Sequence, residues 1–278
     1  MKPRKIFLKC GTCSQAMFHM LNHEFGVYWP EEEKASDLLA GGIALNGYQC
    51  GMLWGGALAV GAESFRSCEN ENLTTASAIN ASKRVAESFK KCAGSVDCRD
   101  ISQTDWNNKY QFTLYIAKTI ACGFIYSRCF NLAAKWAPQA VEAARIGLKE
   151  HIEPDLYCVS CASMTLKKMG ATQEEAATVA GFAGGIGLSG GACGALGAAI
   201  WYKMLQWGRL NPGKNPPMLN NPEAKAVLNT FYGLTDNEML CHKICGKKFG
   251  SAEEHSKYIT DGGCKEIIED QLQNFPIW

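Results

Sequence analysis

The sequence predicts an all-α protein made of two related helical modules, and three observations lead to this fold class. Apolar residues recur at helical spacing along nearly the whole chain, and no convincing alternation of apolar and polar residues indicates a strand. The segment 39–53 recurs without a gap as the segment 182–196. The 278 residues also exceed the usual size of a single domain, so an internal duplication is the simplest organisation.

The repeated segment is a glycine-rich turn that ends in a cysteine. Residues 39–53 read LAGGIALNGYQCGML and residues 182–196 read FAGGIGLSGGACGAL, so Cys50 superposes on Cys193. The same offset carries Cys98 onto Cys241. Because chance rarely repeats both a motif and its distance to the next cysteine, the sequence predicts a tandem repeat whose cysteines share one role.

The duplication divides the chain into two predicted modules, residues 1–152 and 153–278, each large enough to bury a core of its own. The boundary falls near Glu153, after a charged helical end. Each module opens with a CxxC pair; these pairs are Cys10 with Cys13 and Cys158 with Cys161. A CxxC pair suits a redox dithiol or half of a metal site.

The fourth cysteine of each half is the weakest match. Cys129 and Cys264 each precede a helix-like segment, residues 130–144 and 265–272. Spacing favours a different residue, because Cys122 follows Cys98 at nearly the same distance as Cys264 follows Cys241. Both Cys122 and Cys129 therefore stay open as the fourth cysteine of the first half, with Cys129 preferred.

Each glycine turn lies between two predicted helices. Thr172 and Glu175 form a capping box at the start of one helix, and Pro30 followed by three glutamates marks the matching start in the first half. After the turn, residues 51–60 and 194–205 resume a helical, alanine-rich pattern. The repeats are thus helix-turn-helix elements that carry a cysteine at the turn.

Cys50 and Cys193 consequently lie at helix N-termini. Unpaired backbone N–H groups and the helix dipole stabilise negative charge there. We therefore expect a lowered thiol pKa at both positions, which suits a nucleophile as well as a metal ligand. We also expect the flanking glycines to let the backbone approach whatever the sulfur contacts.

Two long uncharged stretches, residues 38–62 and 176–202, are long enough to cross a bilayer. The second contains eight glycines and few large aliphatic side chains, which makes a continuous membrane helix a poor fit. We expect both stretches to be buried helices joined by tight turns.

Composition narrows the class of protein. The formal charge of +1 and the absence of basic clusters predict no binding to nucleic acid. The chain begins with basic residues followed by only three apolar ones, so we expect no signal peptide and a cytoplasmic location. In that compartment its 14 cysteines favour metal binding or redox chemistry over structural disulfides, although a fully disulfide-bonded scaffold stays open.

Six cysteine motifs carry a resemblance to a known family. They are CSQAM at Cys13, CGMLWG at Cys50, CRDI at Cys98, CASM at Cys161, CGAL at Cys193 and CHKICG at Cys241. Each half resembles the redox-active proteins named for their C, GCAxxG, C, C cysteine pattern. The resemblance implies a cysteine-based redox role, often beside a membrane transporter, and no settled reaction.

We expect each half to gather four cysteines at one site. The first set is Cys13, Cys50, Cys98 and Cys129, and the second is Cys161, Cys193, Cys241 and Cys264. Cys10 and Cys158 also repeat and are ranked next as ligands. Four thiolates suit soft metals, and an iron–sulfur cluster is preferred over zinc because zinc has no redox task; a metal-free dithiol is the remaining case.

The leading hypothesis is therefore a redox or electron-transfer protein. The alternative is a non-catalytic carrier or store for a thiophilic metal, or for a sulfur or selenium species, that works with a membrane transporter. Whether the protein is an enzyme stays undecided. A redox partner and a homo-oligomer are both compatible with the pattern.

Overall fold

A computed structural model describes residues 2–123, 126–153 and 157–269, and the regular structure within them is helical. In these residues β-type pairing is confined to two isolated bridges, Gln49 with Asp97 and Ala192 with Leu240. The second bridge repeats the first at the same offset that relates Cys193 to Cys50. The predicted all-α class and the internal duplication are confirmed.

The first half contains eight α-helices and one 3-10 helix among its described residues. They are α1 Pro3–Cys10, α2 Cys13–Glu24, α3 Pro30–Ala35, the 3-10 helix Ser36–Leu39, α4 Gly51–Ser67, α5 Glu71–Ala93, α6 Cys98–Ser102, α7 Lys109–Ala121 and α8 Arg128–Leu148.

The second half contains seven α-helices and one 3-10 helix over residues 157–269. They are α9 Cys161–Lys168, α10 Gln173–Thr178, the 3-10 helix Ala180–Phe182, α11 Gly194–Leu210, α12 Pro222–Thr235, α13 Cys241–Ile244, α14 Ala252–Thr260 and α15 Lys265–Glu269. The predicted capping box opens α10, where Thr172 accepts from the backbone N–H of Glu175 and the Glu175 carboxylate accepts from that of Thr172.

A left-handed turn leads into the repeated cysteine of each half. Residues 41–45 and 184–188 all have positive φ, including the β-branched Ile43 and Ile186. A non-glycine residue in the left-handed conformation destabilises the fold by about 1–2 kcal/mol, so the surrounding packing must stabilise the turn. Glycine is required at Gly42 and Gly185, because a Cβ there would press on backbone atoms of the same turn.

The two uncharged stretches each fold as a short helix, the left-handed turn and a buried helix, as expected from their glycines. Residues 38–62 end within α4, and residues 176–202 end within α11. None of the helices in the described part of the chain is long and apolar enough to cross a membrane.

The main core runs through both halves, whereas we expected each half to bury a core of its own. Trp54 of α4 is fully buried and meets the Phe182 ring edge-on at 4.7 Å between centroids. A Cβ at Gly197 would lie 2.5 Å from the Trp54 ring. The Trp201 indole N–H donates to the carbonyl of Glu32 at 3.1 Å. Glycine at position 197 makes room for the Trp54 ring, so α4 and α11 contribute side chains to one shared core.

The boundary between the modules stays a prediction. It falls beside residues 154–156, which lie outside the described residues. The helices of the two halves nevertheless fall on either side of this segment, since α8 ends at Leu148 and α9 begins at Cys161.

Because the two halves pack closely, we expect a single methyl group added between them to destabilise the fold. A Cβ at Gly61 of α4 would overlap the carbonyl oxygen of Thr178, which is backbone and cannot rotate away. We expect Gly61→Ala to lower the free energy of unfolding by about 1–3 kcal/mol, measured by chemical denaturation under reducing conditions.

Gly208 in α11 is the matched control, because nothing lies within 4 Å of a Cβ built there. Gly208→Ala should leave the free energy of unfolding unchanged or raise it by up to about 1 kcal/mol. Equal changes in the free energy of unfolding for the two substitutions would contradict the close contact between Gly61 and the carbonyl of Thr178.

Candidate functional site

All eight cysteines predicted as the two sets lie at or beside helix N-termini. Cys13 and Cys161 begin α2 and α9, Cys50 and Cys193 are the N-caps of α4 and α11, Cys98 and Cys241 begin α6 and α13, Cys129 is the second residue of α8, and Cys264 directly precedes α15. Backbone N–H groups hydrogen-bond the sulfurs of Cys13, Cys161 and Cys193, and the free N–H groups of a helix N-terminus favour electron-rich partners in general.

In the first half, Cys13, Cys50, Cys98 and Cys129 come together in the protein interior. A hydrogen bond between the thiols lowers the pKa of Cys13 and raises that of Cys50. Burial raises the pKa of Cys98, and the charges of Cys13 and Cys129 raise it further. Burial likewise raises the pKa of Cys129 to about 11. These mutual effects show that the four thiols are close enough to influence one another's pKa.

In the second half, Cys161, Cys193, Cys241 and Cys264 line one cavity together with a fifth cysteine, Cys245. The Cys245 sulfur lies 3.9 Å from that of Cys241 and 3.6 Å from that of Cys264. Hydrogen bonds from Cys241 and then Cys264 lower the pKa of Cys245 to about 3. The two donor thiols keep their protons, so the pKa values of Cys241 and Cys264 are raised.

The expected acidity of the helix-terminal cysteines is wrong. The pKa of Cys50 is raised by its hydrogen bond with Cys13 and by burial, and burial raises the pKa of Cys193 to about 11. Backbone N–H groups of Leu196 and Ala195 do lower the pKa of Cys193, as expected for a helix N-terminus. Desolvation outweighs them because the sulfur is enclosed by protein.

One glycine makes the approach of two sulfurs possible in the first half. A Cβ at Gly51 would lie 2.6 Å from the sulfur of Cys13. No real Cβ approaches another atom that closely, so any side chain at Gly51 would push Cys13 away from Cys50. The expectation that flanking glycine lets the backbone approach the sulfur is confirmed at this position.

A tyrosine accompanies each cluster, and neither tyrosine was predicted from the sequence. Tyr115 donates its hydroxyl to the sulfur of Cys129 at 3.2 Å. Tyr258 hydrogen-bonds with Cys245 and Cys264, and burial and the sulfurs raise its pKa. The two tyrosines are related by the same offset as Cys50 and Cys193. Extending the repeat beyond its cysteines would have shown that these tyrosines recur, but not that they contact sulfur.

The structure separates the two candidates for the fourth cysteine of the first half. Cys129 is part of the cluster, while the side chain of Cys122 is exposed to solvent. Spacing along the chain misleads here, because the segment from Tyr115 to Cys129 is longer than the equivalent segment from Tyr258 to Cys264. Extra residues between tyrosine and cysteine thus move the matching cysteine of the first half further along the chain.

Among the described residues, no cluster cysteine perturbs the thiol pKa of Cys10 or Cys158, although Cys158 packs in the same hydrophobic group as Cys241 and Cys245. Burial and the nearby carboxylates of Glu33 and Asp37 raise the pKa of Cys10 to about 11. Burial also raises the pKa of Cys158 to about 11, and Ser256 is its hydrogen-bonding neighbour. The CxxC pairs thus contribute one sulfur each to the clusters.

A buried glutamine connects the backbones beside the two clusters. Gln49, next to Cys50, accepts from the backbone N–H of Ala192 at 2.7 Å and donates to the carbonyl of Gly185 at 2.8 Å. Ala192 is the residue before Cys193 and also the repeat equivalent of Gln49. The link therefore runs one way, from the first half to the second.

Neither cluster is arranged for one compact metal ion. Within residues 2–123, 126–153 and 157–269, no three Cys, His, Asp or Glu side chains converge closely enough to hold a single ion. The cavity lined by the five cysteines of the second half has a volume of about 10 Å³. That space is about the size of one water molecule, so the sulfurs largely face one another.

Comparison with known families agrees with the duplication. The model of the family described as "Putative redox-active protein (C_GCAxxG_C_C)" matches twice, over residues 11–138 and 157–275. The two matches together cover most of the chain and contain both cysteine clusters. No curated protein and no solved structure matches the chain significantly.

The different exposure of Cys122 and Cys129 predicts different alkylation rates. In the reduced native protein, iodoacetamide should modify Cys122 at least about tenfold faster, because Cys122 is exposed whereas Cys129 is only partly exposed and its thiol pKa is raised. Cleavage after Arg128 separates the two cysteines for mass spectrometry. The rates should become similar in denaturant, and equal rates in the native protein would contradict the assignment.

The buried histidine of the second half predicts a pH dependence of stability. Burial lowers the pKa of His255 to about 4, below its ordinary value near 6.5. The unfolded chain therefore takes up a proton that the folded chain resists, and the unfolding free energy should fall as pH decreases from about 6.5 to 4.

His255→Phe is the matched variant, since Phe112 occupies the equivalent position in the first half. Denaturation between pH 4 and 7 should show a weaker loss of stability in the variant, with a slope difference of up to about 1 kcal/mol per pH unit. Asp37, whose pKa burial raises to about 6, titrates in both proteins and cancels in the comparison. Parallel pH profiles would contradict the role of His255.

Proposed function

The chain belongs to the C_GCAxxG_C_C family of redox-active proteins, and from this premise we propose that each half holds a thiolate redox centre that takes up an iron–sulfur cluster. The observation that carries the proposal is the convergence of four cysteines from four separate helix N-termini in each half. Electron transfer through two such centres is the function that this arrangement supports best.

The donor set fits the cluster better than it fits a single zinc ion. A tetrahedral zinc with bonds of about 2.3 Å places each pair of its four sulfurs about 3.8 Å apart. Pairs at 3.6 and 3.9 Å occur in the second half, but no third donor joins them around one ion among the described residues. In a cluster, different cysteines bind different irons, so their sulfurs need not meet at one point.

When bound, such a cluster would supply reversible electron transfer at a potential set by its surroundings. Cys13, Cys50, Cys98 and Cys129 would hold it in the first half, and Cys161, Cys193, Cys241 and Cys264 in the second. The protein keeps water away from five of these sulfurs, which are buried, while Cys13, Cys129 and Cys264 are partly exposed. The cavity of about 10 Å³ means that the side chains must move apart to admit the cluster.

Other groups of the chain would tune the centre through hydrogen bonds to sulfur. Backbone N–H groups near Gly41 and Ser14 lower the pKa of Cys13, and those of Gly184 and Ala162 do the same at Cys161. Hydrogen bonds to ligand sulfurs stabilise negative charge and so raise a reduction potential. Tyr115 adds a hydroxyl donor at Cys129.

A second candidate is dithiol–disulfide chemistry without metal. The sulfur pairs at 3.6 and 3.9 Å favour it, because only a short movement separates them from disulfide bonding distance. A redox role would then reside in the cysteines themselves. The carrier for a thiophilic metal, or for a sulfur or selenium species, is the third outcome that an experiment must distinguish.

The test is metal analysis of protein purified without oxygen. We expect iron and acid-labile sulfide, with broad visible absorbance that bleaches when dithionite is added. Cys50→Ser and Cys193→Ser should each remove about half of the iron, because each destroys one centre. Cys122→Ser is the control and should retain all of the iron, since Cys122 is exposed and outside the cluster.

Three results would contradict the cluster. A colourless protein with 14 titratable thiols would favour a carrier or a metal-free dithiol. Zinc in place of iron would favour a structural metal site. Thiols that can be titrated only after reduction of the denatured protein would favour a disulfide scaffold.

A further inference from the structure

The second cluster contains a sulfur that the first cluster lacks. Cys245 lies among Cys241 and Cys264, and its repeat equivalent in the first half is Ser102. Cys245 is also outside the four-cysteine pattern of the family. The two centres therefore differ in the number of thiols, five against four.

Ser102 does not substitute for the missing sulfur. Its hydroxyl donates to the backbone carbonyl of Cys98 at 2.7 Å, one helical turn earlier. Ser102 also hydrogen-bonds the Cys98 thiol and thereby lowers the pKa of Cys98, but a hydroxyl cannot form a disulfide. Position 245 therefore contributes a redox-active sulfur that position 102 does not.

Cys245 and Cys264 are placed for a disulfide. Their sulfurs are 3.6 Å apart, which is closer than the 3.9 Å between Cys245 and Cys241. Both side chains are only partly buried, while Cys161, Cys193 and Cys241 are buried. Cys245 follows α13 and Cys264 precedes α15, so neither is held inside a long helix. A small reagent can reach this pair before the inner sulfurs.

We propose that Cys245 and Cys264 form a thiol–disulfide exchange site that accepts a low-molecular-weight disulfide and is present only in the second half. A low-molecular-weight disulfide suits the site because Cys245 and Cys264 are only partly buried, so a small reagent can reach their sulfurs from solvent without entering the cavity of about 10 Å³. The inference goes beyond the proposed cluster and does not require one to assemble.

The exchange proceeds in two balanced steps. The Cys245 thiolate attacks one sulfur of the disulfide RSSR, forming a mixed Cys245–SR disulfide and releasing RS⁻. The Cys264 thiol then gives up its proton as its sulfur attacks the Cys245 sulfur, forming the Cys245–Cys264 bond and releasing a second RS⁻. Two electrons pass from the cysteine pair to RSSR, and the two RS⁻ take up the proton from Cys264 and one from solvent to become two RSH.

Oxidation of the pair would act on the second centre alone. Five thiols minus two leaves Cys161, Cys193 and Cys241, one sulfur fewer than a four-cysteine centre requires. The first centre has no spare cysteine to form such a pair without giving up one of its own four. If the proposed clusters form, oxidation of Cys245 and Cys264 would therefore release the iron–sulfur cluster of the second half and leave the cluster of the first half bound.

The experiment is disulfide mapping of the full chain after reduction, removal of metal with a chelator, and exposure to oxidised glutathione. Trypsin separates the relevant cysteines into residues 226–243, 244–247 and 258–265. We expect the first intramolecular disulfide to join residues 244–247 to residues 258–265, and mass spectrometry detects it directly.

Cys245→Ser gives the second half the residue that the first half already has, so the fold should tolerate it. We expect this variant to form disulfides within the second half at least about tenfold more slowly, with Cys122→Ser as an unaffected control. Circular dichroism should show both variants folded.

Two results would overturn the inference. One is a first disulfide between Cys13 and Cys50 while Cys245 and Cys264 stay reduced. The other is an unchanged rate of disulfide formation in the second half of Cys245→Ser. Because the mapping uses metal-free protein, its failure is distinct from a failure to find iron in the anaerobic protein.

Discussion

The structure depends on helix N-termini that converge on cysteine sulfurs. In each half, four helices begin at or beside a cysteine, and backbone N–H groups hydrogen-bond the sulfurs of Cys13, Cys161 and Cys193. Sulfur that is buried against an N-terminus avoids the full cost of desolvation when it carries charge or binds a cation. The left-handed turns before Cys50 and Cys193, although strained, are what direct the chain into this geometry.

The halves are related but not equivalent. Gln49 reaches from beside Cys50 to the backbone beside Cys193, and the equivalent Ala192 cannot return the contact. Cys245 adds a fifth thiol to the second cluster, where Ser102 adds none to the first. With one core shared across α4 and α11, two similar centres sit in one framework but in different surroundings.

The sequence predicts those features that the duplication preserves without gaps. Cys50, Cys193, Cys98 and Cys241 follow from a constant offset, and so do the helices around them. The missed residues Tyr115 and Tyr258 share that offset, but an aromatic residue has no motif that marks it as a neighbour of sulfur. Thiol acidity could not be read from helix position, since burial in three dimensions decides its sign.

The most direct measurement of the central claim is sulfur anomalous scattering at long wavelength from crystals of the full chain. We expect two compact groups of sulfur peaks, one for Cys13, Cys50, Cys98 and Cys129 and one for Cys161, Cys193, Cys241, Cys245 and Cys264. Peaks from either set dispersed through separate packing layers would contradict the convergence of the helix N-termini on sulfur.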